Sequence, residues 1–390
     1  MSAPTAPLPD LHHHRAVEQL DPLLSGHHPL GDIAEKVVQG ERLTQQDGMR
    51  LAESNDLLAI GTLADAARKL KFEAATVDYV YWIHNYHINI TNVCEGTCRF
   101  CAFSRRSPKA KEAYFLTVDQ IVDQVAQYPG LADLAEFHIV SGMTPDLNLA
   151  YYVALFDKLS QHFPHVHIKG LTAAEIDYIA NLDGLSHEDV LTTLRQHGHR
   201  SMPGGGAEVF SERIHRMLYP DKISHEQWLA IHGKAHQMGL KSTATMLCGL
   251  GETWQERVDH LLLVREQQDK TGGFTTFIPL NCWYDNTAVD ASNALTGVEN
   301  LKTFALSRLL LDNIDHIKGY WIQHGLKMAQ ISLSFGVNDL DGTVIQEKIS
   351  HMAGTDTAQY VTKAELAHTI KTAGKIPVER HPDYSPRHIY

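Results

Sequence analysis

Three cysteines on one short segment carry the most specific chemistry in this chain. Cys94, Cys98 and Cys101 have the spacing C-x3-C-x2-C and follow an alternating apolar run, residues 87–90, that is typical of a β-strand. Three thiolates on one loop can ligate three irons of a 4Fe–4S cluster, and no fourth cysteine lies nearby in the sequence. The fourth iron is then open to an outside ligand, as a catalytic metal keeps an open position. Phe100, just before the third cysteine, would place an aromatic ring beside that ligand.

A zinc site and a disulfide are the alternatives for three close cysteines. Zinc takes four ligands, usually two C-x2-C pairs or one such pair with two histidines, and nothing near this segment supplies the second pair. A disulfide is disfavoured in a chain with five cysteines and no export signal. The other two, Cys248 and Cys282, lie in a predicted strand and at a strand end, where buried or pocket-wall thiols are expected. The open cluster is therefore favoured.

Composition limits the class of protein. The chain has 390 residues, 43% of them hydrophobic, so it can bury one large core. Its formal net charge of −12 argues against nucleic-acid binding and against a general attraction to anionic membranes. A small acidic substrate remains compatible, because it needs only a local lysine or arginine pocket. No signal peptide is evident, and no apolar run reaches the length of a membrane span. We expect a cytoplasmic protein without a membrane span.

The pattern along the chain predicts four segments. Residues 1–28 are rich in proline and histidine and are predicted to form a flexible leader. Residues 29–80 have helical periodicity and are expected to cap a barrel or to pair two copies as a homodimer. Residues 81–345 are expected to form that α/β barrel, and residues 346–390 a helical and strand extension packed on it.

The barrel prediction depends on alternating strand and helix patterns joined by short, glycine-rich turns. Such βα units predict a TIM-type (β/α) barrel, complete or nearly so, with functional loops at the carboxyl ends of the strands. A doubly wound open sheet is the alternative, since periodicity alone does not separate the two. The predicted strands include 136–140, 166–169, 241–248 and 274–280, and the predicted helices include 117–127, 149–162, 186–197, 224–238, 299–313, 324–335 and 363–373.

The cysteine spacing after a strand resembles the signature of radical S-adenosylmethionine (SAM) enzymes. In that chemistry, SAM chelates the open iron, and one electron from the cluster breaks its sulfonium carbon–sulfur bond. Residues predicted to contact SAM follow later strands, and each has a structural alternative. Ser141 and Gly142 would face the SAM amino group or form an ordinary tight turn, and Glu175 would bind ribose or cap a helix. Gly249 and Glu252 belong to a G-L-G-E-T turn, which is a weak nucleotide signal.

A triple glycine is the most unusual stretch outside the cysteine segment. Gly204, Gly205 and Gly206 are costly in chain entropy, so we expect them where backbone approaches a ligand or turns sharply. Together with Ser201, which begins this stretch, they are candidates for binding substrate. Arg105, just beyond the cysteines, would pair with a substrate carboxylate or remain a solvated surface residue.

Longer stretches resemble the aminofutalosine synthase family of radical SAM enzymes. They are H-I-N-I-T-N-V-C-E-G-T-C-R-F-C-A-F-S, T-A-A-E-I-D, S-M-P-G-G-G-A-E-V-F, R-V-D-H-L-L-L-V-R-E-Q-Q-D-K-T-G-G-F-T-T-F-I-P-L, N-D-L-D-G-T-V-I-Q-E-K-I and A-G-K-I-P-V-E-R. The resemblance implies a 4Fe–4S cluster on the three cysteines, SAM consumed as co-substrate, and a low-potential electron donor such as flavodoxin or ferredoxin. It also implies a small acidic aromatic substrate, 3-(1-carboxyvinyloxy)benzoate, converted to 6-amino-6-deoxyfutalosine on the route to menaquinone.

Three departures from the family pattern bear on the substrate. Thr144 and Leu250 stand where the family commonly has histidine, and residues 281–287 differ from the usual sequence after that strand. The alternatives are therefore a related radical SAM enzyme, such as cyclic dehypoxanthine futalosine synthase or an FO-synthase-like enzyme. A non-catalytic iron–sulfur carrier is least favoured, because four cysteines and a shorter chain are expected for it. No residue is singled out as the catalytic group.

Overall fold

The computed structural model describes residues 11–390. The helices before the barrel are α1 (Leu11–Glu18), α2 (Asp21–Leu24), α3 (Gly31–Gln39), α4 (Gln45–Glu53) and α5 (Leu57–Lys71). The strands are β1 (Tyr79–Ile83), β2 (Asn85–Ile88), β3 (Glu136–Ile139), β4 (His167–Gly170), β5 (His199–Met202), β6 (Lys241–Cys248), β7 (Phe274–Asn281), β8 (His316–Ile317), β9 (Asp339–Gly342), β10 (Ile376–Arg380) and β11 (Pro386–Ile389). The later helices are α6 (Val118–Ala126), α7 (Leu149–His162), α8 (Ala173–Asp183), α9 (His187–Gln196), α10 (Glu212–Leu218), α11 (His225–Gln237), α12 (Trp254–Thr271), α13 (Gly297–Leu310), α14 (Trp321–His324), α15 (Leu326–Ser332), α16 (Ile349–Met352) and α17 (Lys363–Thr372).

Seven parallel strands form the curved sheet that positions the site. Their order is β2-β3-β4-β5-β6-β7-β8, so neighbours in the sheet are also neighbours in sequence. Single parallel bridges then connect Lys318 to Asp339 and Ile345 to Tyr86. The segment that contains β9 therefore lies between the first and last strands and closes the ring. The prediction of a TIM-type barrel, complete or nearly so, is confirmed.

A second sheet joins the chain before the barrel to the C-terminal extension. Its order is β11-β10-β1-β9, with β1 parallel to both of its neighbours. The predicted boundary between residues 80 and 81 falls inside β1, which does not enter the seven-stranded sheet. A buried ion pair between Arg380 of β10 and Asp339 of β9, 3.0 Å between Nε and Oδ2, lies within this sheet. The bridge from Asp339 to Lys318 connects the sheet to the barrel.

The N-terminal helices pack on one side of the barrel. Helices α4 and α5 contact α12 and α13, the outer helices around β6 and β7. The sequence predicts a flexible leader over residues 1–28, but residues 11–24 include two helices. Ala16, Leu20 and Leu23 are buried there, and α1 packs against α5. This apolar burial stabilises a segment that short-range patterns leave unassigned. Residues 1–10 of the predicted leader lie outside the described residues.

Local capping boxes start eight of the helices within residues 11–390. In each, a serine or threonine hydroxyl accepts from the N3 backbone N–H, and the N3 side chain accepts from the cap N–H. The caps are Thr44, Thr117, Thr172, Ser186, Ser224, Thr253, Thr296 and Thr362. The single helix predicted near 324–335 is instead two, α14 and α15, because Gly325 lies between them with φ +77°.

No helix in residues 11–390 is long and apolar enough to cross a membrane.

Candidate active site

A cavity of about 310 Å³ lies at the carboxyl ends of the barrel strands. All three cysteines of the C-x3-C-x2-C segment line it, together with the triple glycine and residues that follow β3 and β4. This is the end of a β/α barrel at which loops from separate strands converge. The cavity is therefore the candidate active site.

Backbone and arginine contacts hold the cysteine loop against the barrel. The N–H of Cys94 donates to the Arg105 carbonyl at 3.0 Å, and the N–H of Glu95 donates to the Met143 carbonyl at 2.7 Å. The Arg105 guanidinium donates to carbonyls of the loop itself and pairs with Glu112. Arg105, predicted as a substrate contact, does not line the cavity. Its role in the structure is to stabilise the fold of the cysteine loop.

The surroundings of the thiols fit a cluster with three thiolate ligands. Burial raises the pKa of Cys98 to about 11, and the nearby Lys222 ammonium opposes that rise. A buried thiolate in this place needs positive charge, which iron supplies on ligation. Of the other cysteines, Cys248 and Cys282 are buried and lie outside the lining of this cavity. The residues present therefore fit an iron–sulfur cluster with one iron open and do not form a closed four-cysteine site.

An aromatic side chain and an ion pair border the thiols. The Phe100 ring packs edge-on against Tyr219, with centroids 5.8 Å apart, and Lys222 Nζ lies 5.6 Å from the Phe100 centroid. Lys222 is half-buried and donates a hydrogen bond to Glu208. Burial opposes the charge of Lys222, but the Glu208 carboxylate beside it raises its pKa. A fixed positive charge therefore lies beside the cysteine loop.

Gly142 is required by a close approach between two loops. A Cβ on Gly142 would lie 2.2 Å from the Val93 carbonyl oxygen, so no side chain fits at this position. The Gly142 N–H donates to the Thr91 carbonyl at 2.9 Å, and Ser141 Oγ accepts from the Thr91 N–H at 2.9 Å. Both Ser141 and Gly142 line the cavity. The turn predicted to contact SAM thus also fixes the start of the cysteine loop.

Glu175 caps its helix and also lines the cavity. Its Oε2 accepts from the Thr172 N–H and hydroxyl at 2.7 and 2.8 Å, which is the predicted helix cap. Its Oε1 accepts from the Ser141 N–H at 2.9 Å, and the residue lines the cavity. Burial raises the pKa of Glu175 to about 7, although these hydrogen bonds favour the charged form. Since a carboxylate oxygen accepts two donors, Oε1 can take one more from a ligand.

The triple glycine forms a wall of the cavity. A Cβ on Gly204 would lie 2.6 Å from the Thr243 carbonyl oxygen, and Gly206 has a φ of +89°. The Gly204 carbonyl accepts from the Thr245 hydroxyl at 2.7 Å, which anchors the loop to β6. Gly204, Gly205 and Gly206 all line the cavity. Close packing against the Thr243 backbone therefore requires glycine at position 204, and the left-handed backbone conformation favours glycine at position 206.

The G-L-G-E-T turn does not reach the cavity. The Glu252 side chain is fully buried, accepts from the backbone N–H groups of Gly249 and Leu250, and pairs with Arg257 at 2.6 Å. Neither Gly249 nor Glu252 is among the residues that line the cavity. The Glu252 carboxylate therefore stabilises its own turn, and its oxygens are occupied by Gly249, Leu250 and Arg257.

Two further sequence candidates lie away from the cavity. Thr144 is buried and outside the lining. Ser201 bonds His167 Nε2 at 2.7 Å and borders a separate cavity of about 850 Å³ at the opposite end of the barrel. Ser201 precedes the triple glycine by a few residues but still belongs to β5, and it borders the cavity at the other end of the barrel.

Sequence reasoning missed the polar side chains inside the barrel. His87, His138 and Lys169 line the cavity from three adjacent strands, and Lys318 and Asp341 form a buried ion pair in the same lining. Alternation of polar residues within otherwise apolar strands is a signal for such inward-facing groups, but it does not show which of them meet.

Comparison with known proteins agrees with this site. The model of the radical SAM superfamily matches residues 88–264, and the model of the CofH/MqnC C-terminal region matches residues 271–390. An aminodeoxyfutalosine synthase of Thermus thermophilus is 43% identical over 89% of this chain and 93% of its own length. The chain belongs to the aminodeoxyfutalosine synthase family of radical SAM enzymes. A second family member, from Streptomyces coelicolor, is 40% identical over 90% of this chain and 92% of its own length.

The fold agrees with this family membership. The crystal structure of methylornithine synthase (PylB) superposes with a TM-score of 0.70 at 16% identity, covering 88% of this chain and 97% of that one. At this identity the likeness concerns the fold alone. In this chain the barrel brings the cysteine loop, the triple glycine and Glu175 together at one mouth.

Proposed function

We propose that this chain transfers the 5′-deoxyadenosyl group of SAM to the vinyl carbon of 3-(1-carboxyvinyloxy)benzoate and so forms 6-amino-6-deoxyfutalosine. The observation that carries the proposal is identity of 43% and 40% to aminodeoxyfutalosine synthases along about nine-tenths of the chain. Rearrangement after the addition releases the vinyl carboxylate as bicarbonate. SAM is consumed as a substrate.

The cavity supports this assignment. Its lining combines the thiol loop with three lysines and four carboxylates: Lys169, Lys222, Lys318, Glu175, Glu208, Asp341 and Glu347. Lys222 and Lys318 are hydrogen-bonded to Glu208 and Asp341, so within the described chain Lys169 is the lysine of this lining that can pair with a substrate carboxylate. The departures from the family pattern at Thr144, Leu250 and residues 281–287 lie outside the lining. They therefore give no reason to assign a different substrate.

The cysteine loop would hold the cluster through Cys94, Cys98 and Cys101. When bound and reduced, a 4Fe–4S cluster supplies the electron that cleaves SAM to the adenosyl radical. An external low-potential donor, such as flavodoxin or ferredoxin, must first supply that electron. The protein contributes thiolate ligands, a fixed position for SAM and a site from which water is excluded.

Residues around the loop would orient SAM and substrate. Glu175 Oε1 has capacity for a ribose hydroxyl or an ammonium N–H, and its Oε2 is held by Thr172. Gly142 and the triple glycine place backbone, without side chains, against the cavity. Phe100 lines the cavity and packs against Tyr219. Each group is held by its own contacts, so little reorganisation is needed when ligands bind.

Anaerobic product analysis tests the proposal. The reconstituted enzyme is given dithionite, SAM and 3-(1-carboxyvinyloxy)benzoate, and the products are followed by mass spectrometry. We expect a product that contains both the adenosyl group and the benzoate ring and lacks the vinyl carboxylate. Free 5′-deoxyadenosine with unchanged benzoate would overturn the substrate assignment and leave a radical SAM enzyme of another specificity, such as cyclic dehypoxanthine futalosine synthase.

A further inference from the structure

Three polar side chains form one layer across adjacent strands of the barrel. His87 of β2 is in register with His138 of β3, which is in register with Lys169 of β4. The two imidazole rings stack with centroids 4.6 Å apart and planes 16° apart. All three residues line the cavity that contains the cysteines. Since each lies one position before its strand ends, the layer is the floor of the cavity, below the cysteine loop.

Lys169 differs from the other two lysines of the cavity in its partners. Lys318 and Lys222 each donate a hydrogen bond to a carboxylate, Asp341 and Glu208 respectively. Lys169 is 6% exposed, and its Nζ lies 3.8 Å from Glu136 Oε1, too far for a hydrogen bond. Within residues 11–390 the structure has no hydrogen-bond acceptor for this ammonium. A buried ammonium with unmet donors favours an anionic ligand.

The position of Glu136 leaves one side of Lys169 for such a ligand. Lys169 borders both the active-site cavity and the larger cavity at the other end of the barrel, whereas Glu136 borders only the latter. The carboxylate of Glu136 therefore lies on the side of the ammonium that faces the other end of the barrel, away from the active-site cavity. A second unmet polar atom lies on the same floor, because His87 Nε2 is buried without a hydrogen-bond partner in the described chain. Burial lowers the pKa of His87 and of His138, so both act as neutral polar groups.

We propose that Lys169, with His87 and His138 beside it, binds the ring carboxylate of the benzoate substrate. This inference rests on the proposed function. The vinyl carbon must meet the adenosyl group near the cysteine loop at the mouth. The ring carboxylate is at the other end of the substrate and therefore reaches the floor. Lys169 is thus a specificity-determining residue that selects a benzoate over a neutral arene.

Equilibrium binding without turnover tests this role. Isothermal titration is performed anaerobically on the cluster-reconstituted, SAM-loaded enzyme without reductant, so the ligand does not react. The probes are 3-(1-carboxyvinyloxy)benzoate and 2-phenoxyacrylate, which lacks the ring carboxylate. We compare the wild type with Lys169→Met and with Lys241→Met. Lys241 is an exposed lysine that borders the opposite cavity and bonds only the Gly272 carbonyl, so it is a matched control.

The two ligands separate a carboxylate contact from general damage. Lys169→Met should raise the Kd of the full substrate about 10- to 150-fold, the range for a charged hydrogen bond, and change that of 2-phenoxyacrylate less than about twofold. Lys241→Met should change neither. Equal losses for both ligands, or no loss for the full substrate, would overturn the inference. If Lys169→Met does not fold, the wild type decides alone, since equal affinity for the two ligands contradicts a ring-carboxylate site.

The proposed function and this inference fail in different ways. A wild type that binds the benzoate but forms no adenosylated product contradicts the function, while the comparison of Kd values still decides the role of Lys169. A wild type that makes the product, with Kd unchanged in Lys169→Met, contradicts only the inference. Binding of neither ligand by the wild type overturns both.

Discussion

Replacing Gly142 by alanine should disturb the cysteine loop through a single methyl group. The new Cβ would lie 2.2 Å from the Val93 carbonyl oxygen and 3.2 Å from the Cys94 Cβ. An ordinary contact begins at 3.4 Å, so the two chains must separate by about 1 Å. The obstacle is a carbonyl of the backbone, which cannot rotate away as a flexible side chain does. Overpacking of this kind costs about 1–3 kcal/mol.

The displacement would fall on a cluster ligand as well as on stability. Cys94 follows Val93 directly, and the Met143 N–H donates to its sulfur at 3.3 Å. At roughly 2–4 °C per kcal/mol for large domains, we expect the apparent melting temperature to fall by roughly 2–12 °C. We also expect Gly142→Ala to retain less iron after reconstitution and to cleave SAM more slowly when dithionite is the reductant. Differential scanning fluorimetry, iron analysis and 5′-deoxyadenosine formation measure the three effects.

Gly26→Ala is the matched control. Gly26 has no atom within 4 Å of an added Cβ and does not have a positive φ, so alanine fits there and should leave iron content unchanged. Wild-type melting temperature, iron content and SAM cleavage in Gly142→Ala would refute the reasoning. That result would mean that the two loops separate without cost and that the contact does not position the cysteine loop.

Three further predictions follow from the same site. Serine at any one of the three loop cysteines should abolish reductive SAM cleavage, whereas Cys248→Ser should retain it; turnover in a loop variant would contradict the ligand assignment. Glu175 has a folded pKa of about 7 against 4.5 for an ordinary glutamate, so its contribution to stability is complete below pH 4.5 and is lost as the pH rises through 7. Over that pH range, the free energy of unfolding of the wild type, measured in urea, should therefore fall by about 3 kcal/mol relative to that of Glu175→Gln. The same pH dependence of the unfolding free energy in both proteins would refute this. Glu252→Gln should lower stability by about 3–5 kcal/mol by leaving Arg257 buried and unpaired, with unchanged Kd for SAM in calorimetry; weaker SAM binding would place Glu252 at the ligand.

Features set by neighbours in sequence were predicted well. The spacing of Cys94, Cys98 and Cys101 places three thiols on one loop whatever the rest of the chain does. Capping boxes such as Thr172 with Glu175 start helices through contacts within one turn, so the βα pattern is readable locally. The barrel follows because repeated βα units have few ways to bury their apolar faces. Local patterns therefore identified the fold class and the three candidate cluster ligands.

Residues whose role depends on which way their side chains are packed were not predicted correctly. Glu252 and Arg105 have side chains suited to ligand binding, but in the structure their polar atoms are taken by nearby backbone and by Arg257 and Glu112. The exposed or buried state of such a group is decided by packing, which sequence spacing does not contain. The helices within residues 11–24 are a similar case, because burial against α5 stabilises them.

By itself the sequence determined the cysteine loop and the alternating strands and helices, because each depends on residues a few positions apart. The triple glycine forms a cavity wall only because Gly204 packs against Thr243 of β6. The tertiary structure decided which strand ends face one another. It placed His87, His138 and Lys169 in one layer although they are separated by whole βα units, and it left the Lys169 ammonium without a hydrogen-bond partner in the described chain. The physical reason is that parallel strands bring distant residues into register through backbone hydrogen bonds, and only closure of the barrel turns those side chains toward a common cavity.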